Sequence, residues 1–371
     1  MSGLPKAPEY VRNLMFYVPG KPVDEVRREL GITDEIVKLA SNENPLGPSP
    51  KAVAAITRAF PELPRYPDGG GFYLRRAIAE RHDVDMDWVI LGNGSTEIIE
   101  MIARAYLTDG EEAVFSEQSF IMYPIAIASV NGKGIAVPAT RDRHHDVEAM
   151  VRAVGPQTKI VYIANPCNPT GTYMTRRELG FLLDRVPETT VVAIDQAYLE
   201  YVTEEDYPDA LDDLKAGRNN VVVLRTFSKI YGLAGIRMGY AFGCPDVIAI
   251  INRVRSPFNS SHLAQVAGLA ALDDKEWAER SRTENARELA FLTAQLTQRG
   301  VRFTPSVTNF VLVEFKQDIN ELFLAFQKRG VIIRPIGGPG LVNCARVTVG
   351  THAENMKFLA ALDALTGGRR P

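Results

Sequence analysis

From residue 89 onward the hydrophobic positions of this chain gather into short, uninterrupted runs at 89–91, 113–115, 134–137, 160–163, 191–194 and 221–224, with 238–242 as a further candidate. Runs of this length without polar alternation read as strands covered on both faces. The stretches between several of them are long enough for crossover helices. In one, Ile98, Ile99, Ile102, Ala105 and Tyr106 recur at helical spacing. Strands alternating with helices predict an α/β fold.

The pattern changes near residue 257. A long polar helix is expected over about 273–299, then strands at 310–314, 331–334 and 345–349, a turn at 337–340, and a final helix. This reads as a second, α+β unit. Ahead of the strand-rich region, Pro19, Gly20 and Pro22 break regular structure after Tyr17, and an amphipathic segment at 23–30 stops at Gly31. Turn formers crowd 39–50, a helix is expected over 51–60, and a loop at 65–71 carries three glycines and Tyr66. The expected division is an arm at 1–40, a large domain at 41–257 and a small domain at 258–371.

Composition narrows the class. A net charge of −3 with scattered basic residues leaves no nucleic-acid footprint. The three cysteines, Cys167, Cys244 and Cys344, form no C-x-x-C pair, which fits a reducing cytoplasm and neither a disulfide framework nor a zinc knuckle. No apolar run approaches a membrane span and no signal pattern opens the chain, so neither membrane nor export is expected. The five histidines suggest no metal site, and His144 and His145, within Arg-Asp-Arg-His-His-Asp, read as a solvated loop.

The polar residues with chemical promise stand at the ends of the apolar runs, where ligands sit in open α/β sheets. Lys229 follows the run at 221–224 with Thr226 and Ser228 before it and Arg237 eight residues after. A lysine on a solvated turn is one reading. The other is a desolvated amine acting as nucleophile beside hydroxyls and a guanidinium that cup a phosphate, an arrangement suited to covalently held pyridoxal phosphate. Gly92-Asn-Gly-Ser-Thr96 opens a helix after a strand, so Gly94, Ser95 and Thr96 offer an anion site. A dinucleotide fingerprint is the competitor, but Glu97 stands where its third glycine belongs. In Asn165-Pro-Cys-Asn-Pro-Thr-Gly171 two Asn-Pro pairs fix the backbone, either of them a candidate for cis, and let Asn168 donate to a phenolate oxygen. Cys167 has no histidine near it in sequence to make it a nucleophile. Asp195 ends a buried run and needs a cation, such as a protonated pyridine nitrogen or a structural arginine, and Tyr198 is three residues on. Arg346 and Arg334, on expected strands of the second unit, suit a carboxylate or phosphate.

Together these residues resemble the fold-type I, pyridoxal-phosphate-dependent aminotransferases over nearly the whole chain. Ser-Lys with an arginine eight later, Asn-Pro-Thr-Gly and Asp-x-Ala-Tyr occur in the family's order. Within that superfamily the chain is similar to the histidinol-phosphate aminotransferases, through Asn42-Glu-Asn-Pro-Leu-Gly47, Arg65-Tyr-Pro67, Thr226-Phe-Ser-Lys229 and Arg346-Val-Thr-Val-Gly-Thr351. The resemblance implies a mostly parallel seven-stranded sheet, a smaller α+β domain and a homodimer with shared sites. It assigns Lys229 to the covalent link and proton shuttle, Asp195 to the ring nitrogen, Asn168 and Tyr198 to the ring oxygen, and Phe120 to the ring face. The phosphate falls to Gly94, Ser95, Thr96, Thr226, Ser228 and Arg237, with Tyr66 from the other subunit. The substrate falls to Tyr17, Asn42, Arg334 and Arg346. Gln196 and Phe120 depart from the family's common Glu and Tyr. The implied reaction moves an amino group from L-histidinol phosphate to 2-oxoglutarate. An aromatic amino-acid aminotransferase or a decarboxylase of a phosphorylated amino acid would use the same machinery.

Overall fold

The computed structural model describes residues 5–17 and 20–367; the expected break at Pro19 lies outside them. Seven strands form one sheet in the order Val89–Gly92, Gly239–Phe242, Val221–Thr226, Val191–Asp195, Thr158–Ala164, Glu112–Ser116, Lys133–Val137. All neighbours are parallel except Gly239–Phe242, which runs antiparallel to both of its partners.

Alternation within the apolar runs explains why they are continuous. Val161, Ile163, Val192, Ile194, Val221 and Val223 face one core. Ile160, Tyr162, Val191, Ala193, Val222 and Leu224 face the other. Each face is covered by helices, so both parities must be apolar. Helix Gly94–Tyr106 covers the second face through Ile98, Ile99 and Ile102. On the first, helices Pro50–Ala59, Phe72–His82 and His262–Asp273 pack together, and Ala264, Ala267, Ala271 and Leu272 belong to the core of the large sheet. The outer strand Lys133–Val137 is largely exposed and opens with a lysine, which blunts a free sheet edge.

A second, antiparallel sheet has the order Arg334–Ile336, Cys344–Thr348, Phe310–Glu314, Arg302–Thr304. Val311, Val313, Ala345 and Val347 face a third core with Leu292 and Leu296 of helix Lys275–Gln298 and Phe358 and Leu362 of helix His352–Thr366. Leu312, Cys344 and Arg346 have the opposite parity. The run expected as one strand over 331–334 is divided. Val331–Ile332 pairs with Val37–Lys38, while Arg334–Ile336 joins the four-stranded sheet at its edge, the position in a sheet where a proline is best tolerated. Helix Val23–Leu30 ends at Gly31, whose φ of 63° suits glycine.

Candidate active site

The carboxyl ends of the parallel strands open into a cavity of about 490 Å³ roofed by the four-stranded sheet and the loops before it. Tyr17, Asn42, Ser95, Thr96, Phe120, Asn168, Asp195, Tyr198, Thr226, Ser228, Lys229, Arg237, Arg334 and Arg346 line it. Gly94 lies just behind. Its φ is 74°, and a β-carbon there would meet Arg237 Nη2 at 2.4 Å. Tyr66 does not reach its own chain's cavity; it is 83% exposed and stacks on Phe258 at 4.7 Å.

Lys229 follows the last strand residue Thr226 by three positions, and its amine donates to Ser41 O at 3.3 Å and lies 5.5 Å over the Tyr198 ring. Desolvation, then Arg346, push it down to about 7. Near neutrality a large share of this amine is therefore unprotonated and nucleophilic. The solvated-turn reading of Lys229 does not hold.

Asp195 is the last residue of its strand and is buried. Ala197 N donates to Oδ1 at 3.1 Å and Tyr123 OH approaches Oδ2 at 3.5 Å. Burial pushes the carboxyl up to about 6, against the pull of Ala197, Tyr123 and Lys229. Among the described residues no arginine or lysine forms an ion pair with it within 4.0 Å. It faces the cavity in want of a cation. Tyr123 was not singled out from the sequence, although it follows Phe120 by one helical turn and meets it edge-to-face at 5.8 Å.

Both Asn-Pro bonds of the loop after Thr158–Ala164 are cis. Arg346 Nη1 donates to Asn168 Oδ1 at 2.5 Å and Nη2 to Ala40 O at 2.8 Å. A guanidinium only donates, so the contact turns the Asn168 amide nitrogen away from Arg346, free to donate elsewhere. Tyr198 OH accepts from Asn42 Nδ2 at 2.8 Å and keeps its own proton, since burial pushes the phenol up to about 12. Asn42 N donates to Thr348 Oγ1 and its Oδ1 accepts from the same hydroxyl, so this residue, expected at the substrate, chiefly braces Tyr198. Gln196 donates to Tyr207 OH at 2.9 Å and Pro208 O at 2.8 Å, and Tyr207 OH donates in turn to Asn165 O at 2.5 Å.

An anion cup lies beside Lys229. Ser95 and Thr96 begin helix Gly94–Tyr106, where free N–H groups and the helix dipole favour negative charge. Gly239 lets the neighbouring strand come this close, because a β-carbon there would meet Ser95 N at 2.3 Å. Arg237, at φ 59°, donates to Ser228 Oγ at 3.3 Å, and Ser228 N donates to Thr226 Oγ1 at 3.1 Å. Across the cleft Arg346 and Arg334 are directly opposed on adjacent strands. Arg334 lies 5.7 Å over the Tyr17 ring. Two guanidiniums in one cross-strand pair repel unless an anion joins them.

The loop read as solvated is so only in part: Arg141 and Asp142 are exposed and His144 is half-buried. His145 is buried and its Nε2 meets Ala164 O at 2.8 Å. Burial alone would push the Cys167 thiol up, but the His145 imidazole and hydrogen bonds from Thr170 together hold it below its ordinary value. A histidine distant in sequence thus stands beside Cys167, which is itself buried and does not line the cavity.

Residues 34–362 match the family described as aminotransferase class I and II. The sequence is 48% identical over 353 residues, 95% of each chain, to histidinol-phosphate aminotransferase 2 of Pseudomonas fluorescens. It is 44% identical over 359 residues to the histidinol-phosphate aminotransferase of Moorella thermoacetica, covering 97% of this chain and 92% of that one. The structure of histidinol-phosphate aminotransferase from Sinorhizobium meliloti in complex with pyridoxal-5'-phosphate superposes with a TM-score of 0.90 at 27% identity, covering 98% of both chains. The chain belongs to the class I and II aminotransferases.

Proposed function

We propose that this enzyme uses pyridoxal phosphate to move the amino group of L-histidinol phosphate to 2-oxoglutarate, giving imidazole acetol phosphate and glutamate. The donor set fits the cofactor. Asp195 offers a buried carboxylate to a pyridinium, and its upward shift comes from burial, which a neighbouring positive charge would offset. Asn168 and Tyr198 offer donors to the ring oxygen, Phe120 offers a ring face, and Ser95, Thr96, Ser228 and Arg237 offer a phosphate cup with Gly94 and Thr226 behind it. When bound, the cofactor supplies an aldehyde that captures amines and a protonated ring that draws electrons from the substrate's α-carbon. Lys229 Nζ would hold the cofactor's aldehyde carbon and, once a substrate amine displaces it, would move a proton between the substrate's α-carbon and that same cofactor carbon; its depressed basicity near neutrality suits both roles. Asp195 would keep the ring nitrogen of the bound cofactor protonated.

The observation that carries the donor assignment is the opposed pair of Arg334 and Arg346 at the substrate end. Arg346 suits a carboxylate or phosphate in either half-reaction. Arg334 and Tyr17 add the further donors that a phosphate dianion calls for. Names of the relatives at 44–48% identity support the same donor.

We further infer a homodimer, in which Tyr66 of a second copy completes the phosphate cup. Its exposure together with that of Phe72, Tyr73 and Phe258 supports this. The division into an arm (1–40), a large unit and a small unit is retained as a proposal. The packing of His262–Asp273 on the large core argues for starting the small unit at helix Lys275–Gln298. Among the described residues no helix is long and apolar enough to cross a membrane, and a cytoplasmic site of action fits the three free cysteines.

The test is a panel of amino donors against 2-oxoglutarate. Histidinol phosphate should give the highest kcat/KM. A higher value for phenylalanine or tyrosine, or release of carbon dioxide instead of glutamate, would overturn the assignment.

A further inference from the structure

We propose that Arg143 is a positioning residue for the substrate end of the site: it clamps the four-stranded sheet, and with it Arg346, against the loop that carries Asn168. This rests on the reading of Arg346 as the partner of the substrate's anionic group.

Arg143 lies in the loop between strand Lys133–Val137 and helix Val147–Ala153, on the large-sheet side of the cleft. Its guanidinium crosses to the other sheet. Nη1 donates to Thr304 Oγ1 at 2.8 Å and Nη2 to Glu314 Oε2 at 2.8 Å, with Cys344 Sγ at 3.6 Å. These three residues sit on three different strands. Thr304 opposes Leu312, Leu312 opposes Arg346, and Arg346 opposes Arg334, so Arg143 grips the far end of the very row that holds the two substrate arginines. Glu314 and Cys344 oppose each other two residues farther along, on the same face.

The backbone of Arg143 is tied to the other side. Its carbonyl accepts from Thr172 Oγ1 at 2.9 Å, and the carbonyl of Thr172 accepts from Cys167 N at 2.7 Å, one residue before Asn168. The Arg346–Asn168 contact closes the same circuit from within the cavity. Arg143 therefore spans the same two bodies outside the cavity that Arg346 and Asn168 span inside it. Its φ of 66° lies where glycine is at ease and arginine is not. The side chain's reach, and not the backbone's comfort, accounts for an arginine at this place.

That conflict supplies a clean variant. Arg143→Gly removes the clamp and relieves the backbone, so a purely structural role and a positioning role part company. The expected result is an apparent KM for both histidinol phosphate and 2-oxoglutarate raised roughly tenfold, the loss of a charged hydrogen bond at a binding residue. Bound pyridoxal phosphate per chain, read by absorbance, should match the wild type, and Tm should be equal or higher. Arg143→Lys, which keeps the charge and reaches a single acceptor, should recover part of the KM. Unchanged KM values in Arg143→Gly would overturn the proposal, as would a fall in Tm and cofactor content alongside KM. A wild-type protein that turns over neither substrate would instead contradict the proposed function, a result visible before any variant is made.

Discussion

Arg346 Nη1 donates to Asn168 Oδ1 across 2.5 Å, joining a strand of the small sheet to the loop at the end of a large-sheet strand. The two residues are separated by 178 positions in the chain. The contact orients the amide so that its nitrogen points away from Arg346, and on the function proposed above that nitrogen would serve the cofactor and Arg346 the substrate. One hydrogen bond thereby couples the two ends of the site, and the behaviour of several variants follows from it.

Asp195 carries a pH signature. Its folded value of about 6 lies above the ordinary carboxyl value of 3.8, so the folded, cofactor-free protein holds a proton that the unfolded chain releases between those values. This carboxyl therefore subtracts stability progressively as pH rises from 3.8 through 6. At pH 7 the deficit is about 3 kcal/mol. Cofactor-free Asp195→Asn should thus have a higher Tm than cofactor-free wild type above pH 6, with the gap closing toward pH 4, while losing most of its transamination rate. A Tm difference that does not vary with pH would sink this account of the carboxyl.

Gly94→Ala should weaken cofactor binding out of proportion to its effect on the fold. A φ of 74° suits glycine but would strain alanine, and the new methyl would displace the Arg237 guanidinium it meets at 2.4 Å. Strain at such a position costs about 1–3 kcal/mol. Titration with pyridoxal phosphate should show a Kd raised roughly tenfold or more. Wild-type affinity would remove Arg237 from the cup.

Neutralising Arg334 should separate the two substrates. Arg334→Gln is expected to raise the KM for histidinol phosphate roughly tenfold to a hundredfold, the worth of a bidentate charged contact, with a far smaller rise for glutamate. Steady-state kinetics with each donor reads this directly. Equal losses for both would mean that Arg334 does not discriminate phosphate.

Mixing Tyr66→Phe with Lys229→Ala protein tests a shared site. If Tyr66 completes the cup of a second copy, exchange of subunits should regenerate sites free of both changes and raise activity above either variant alone. Confirmed exchange without that gain would place Tyr66 outside the site.

The sheet and most of the cavity were legible because their signals are local. Strands buried on both faces are apolar at every position, so the chemistry at their ends, Asp195, Thr226 and Lys229 above all, stands out against the run before it. Helix Phe72–His82 was not legible, since its buried Leu74, Ile78 and Ala79 are interleaved with Arg75, Arg76 and Glu80 directly behind a glycine loop. Arg143 and His145 were misread for a different reason. A run of charged and imidazole side chains looks solvated, and nothing nearby in sequence reveals that Glu314 is 171 positions away or that Cys167 lies against the imidazole. Local pattern reports burial of strands and helices; it does not report which distant partner makes a charge tolerable. The dividing of 331–334 between two sheets is of the same kind, set by partners at Val37 and Arg346.

The most direct measurement concerns Lys229. Its half-buried position beyond a strand end, its depressed basicity and the anion cup beside it all favour this amine, among the lysines of the chain, as the one that binds the cofactor covalently. Purified protein loaded with pyridoxal phosphate is reduced with borohydride, digested and mapped by mass spectrometry. The account expects one stoichiometric label on the peptide containing Lys229, absent from Lys229→Ala. A label on another lysine, or none on a protein that transfers amino groups, would contradict it.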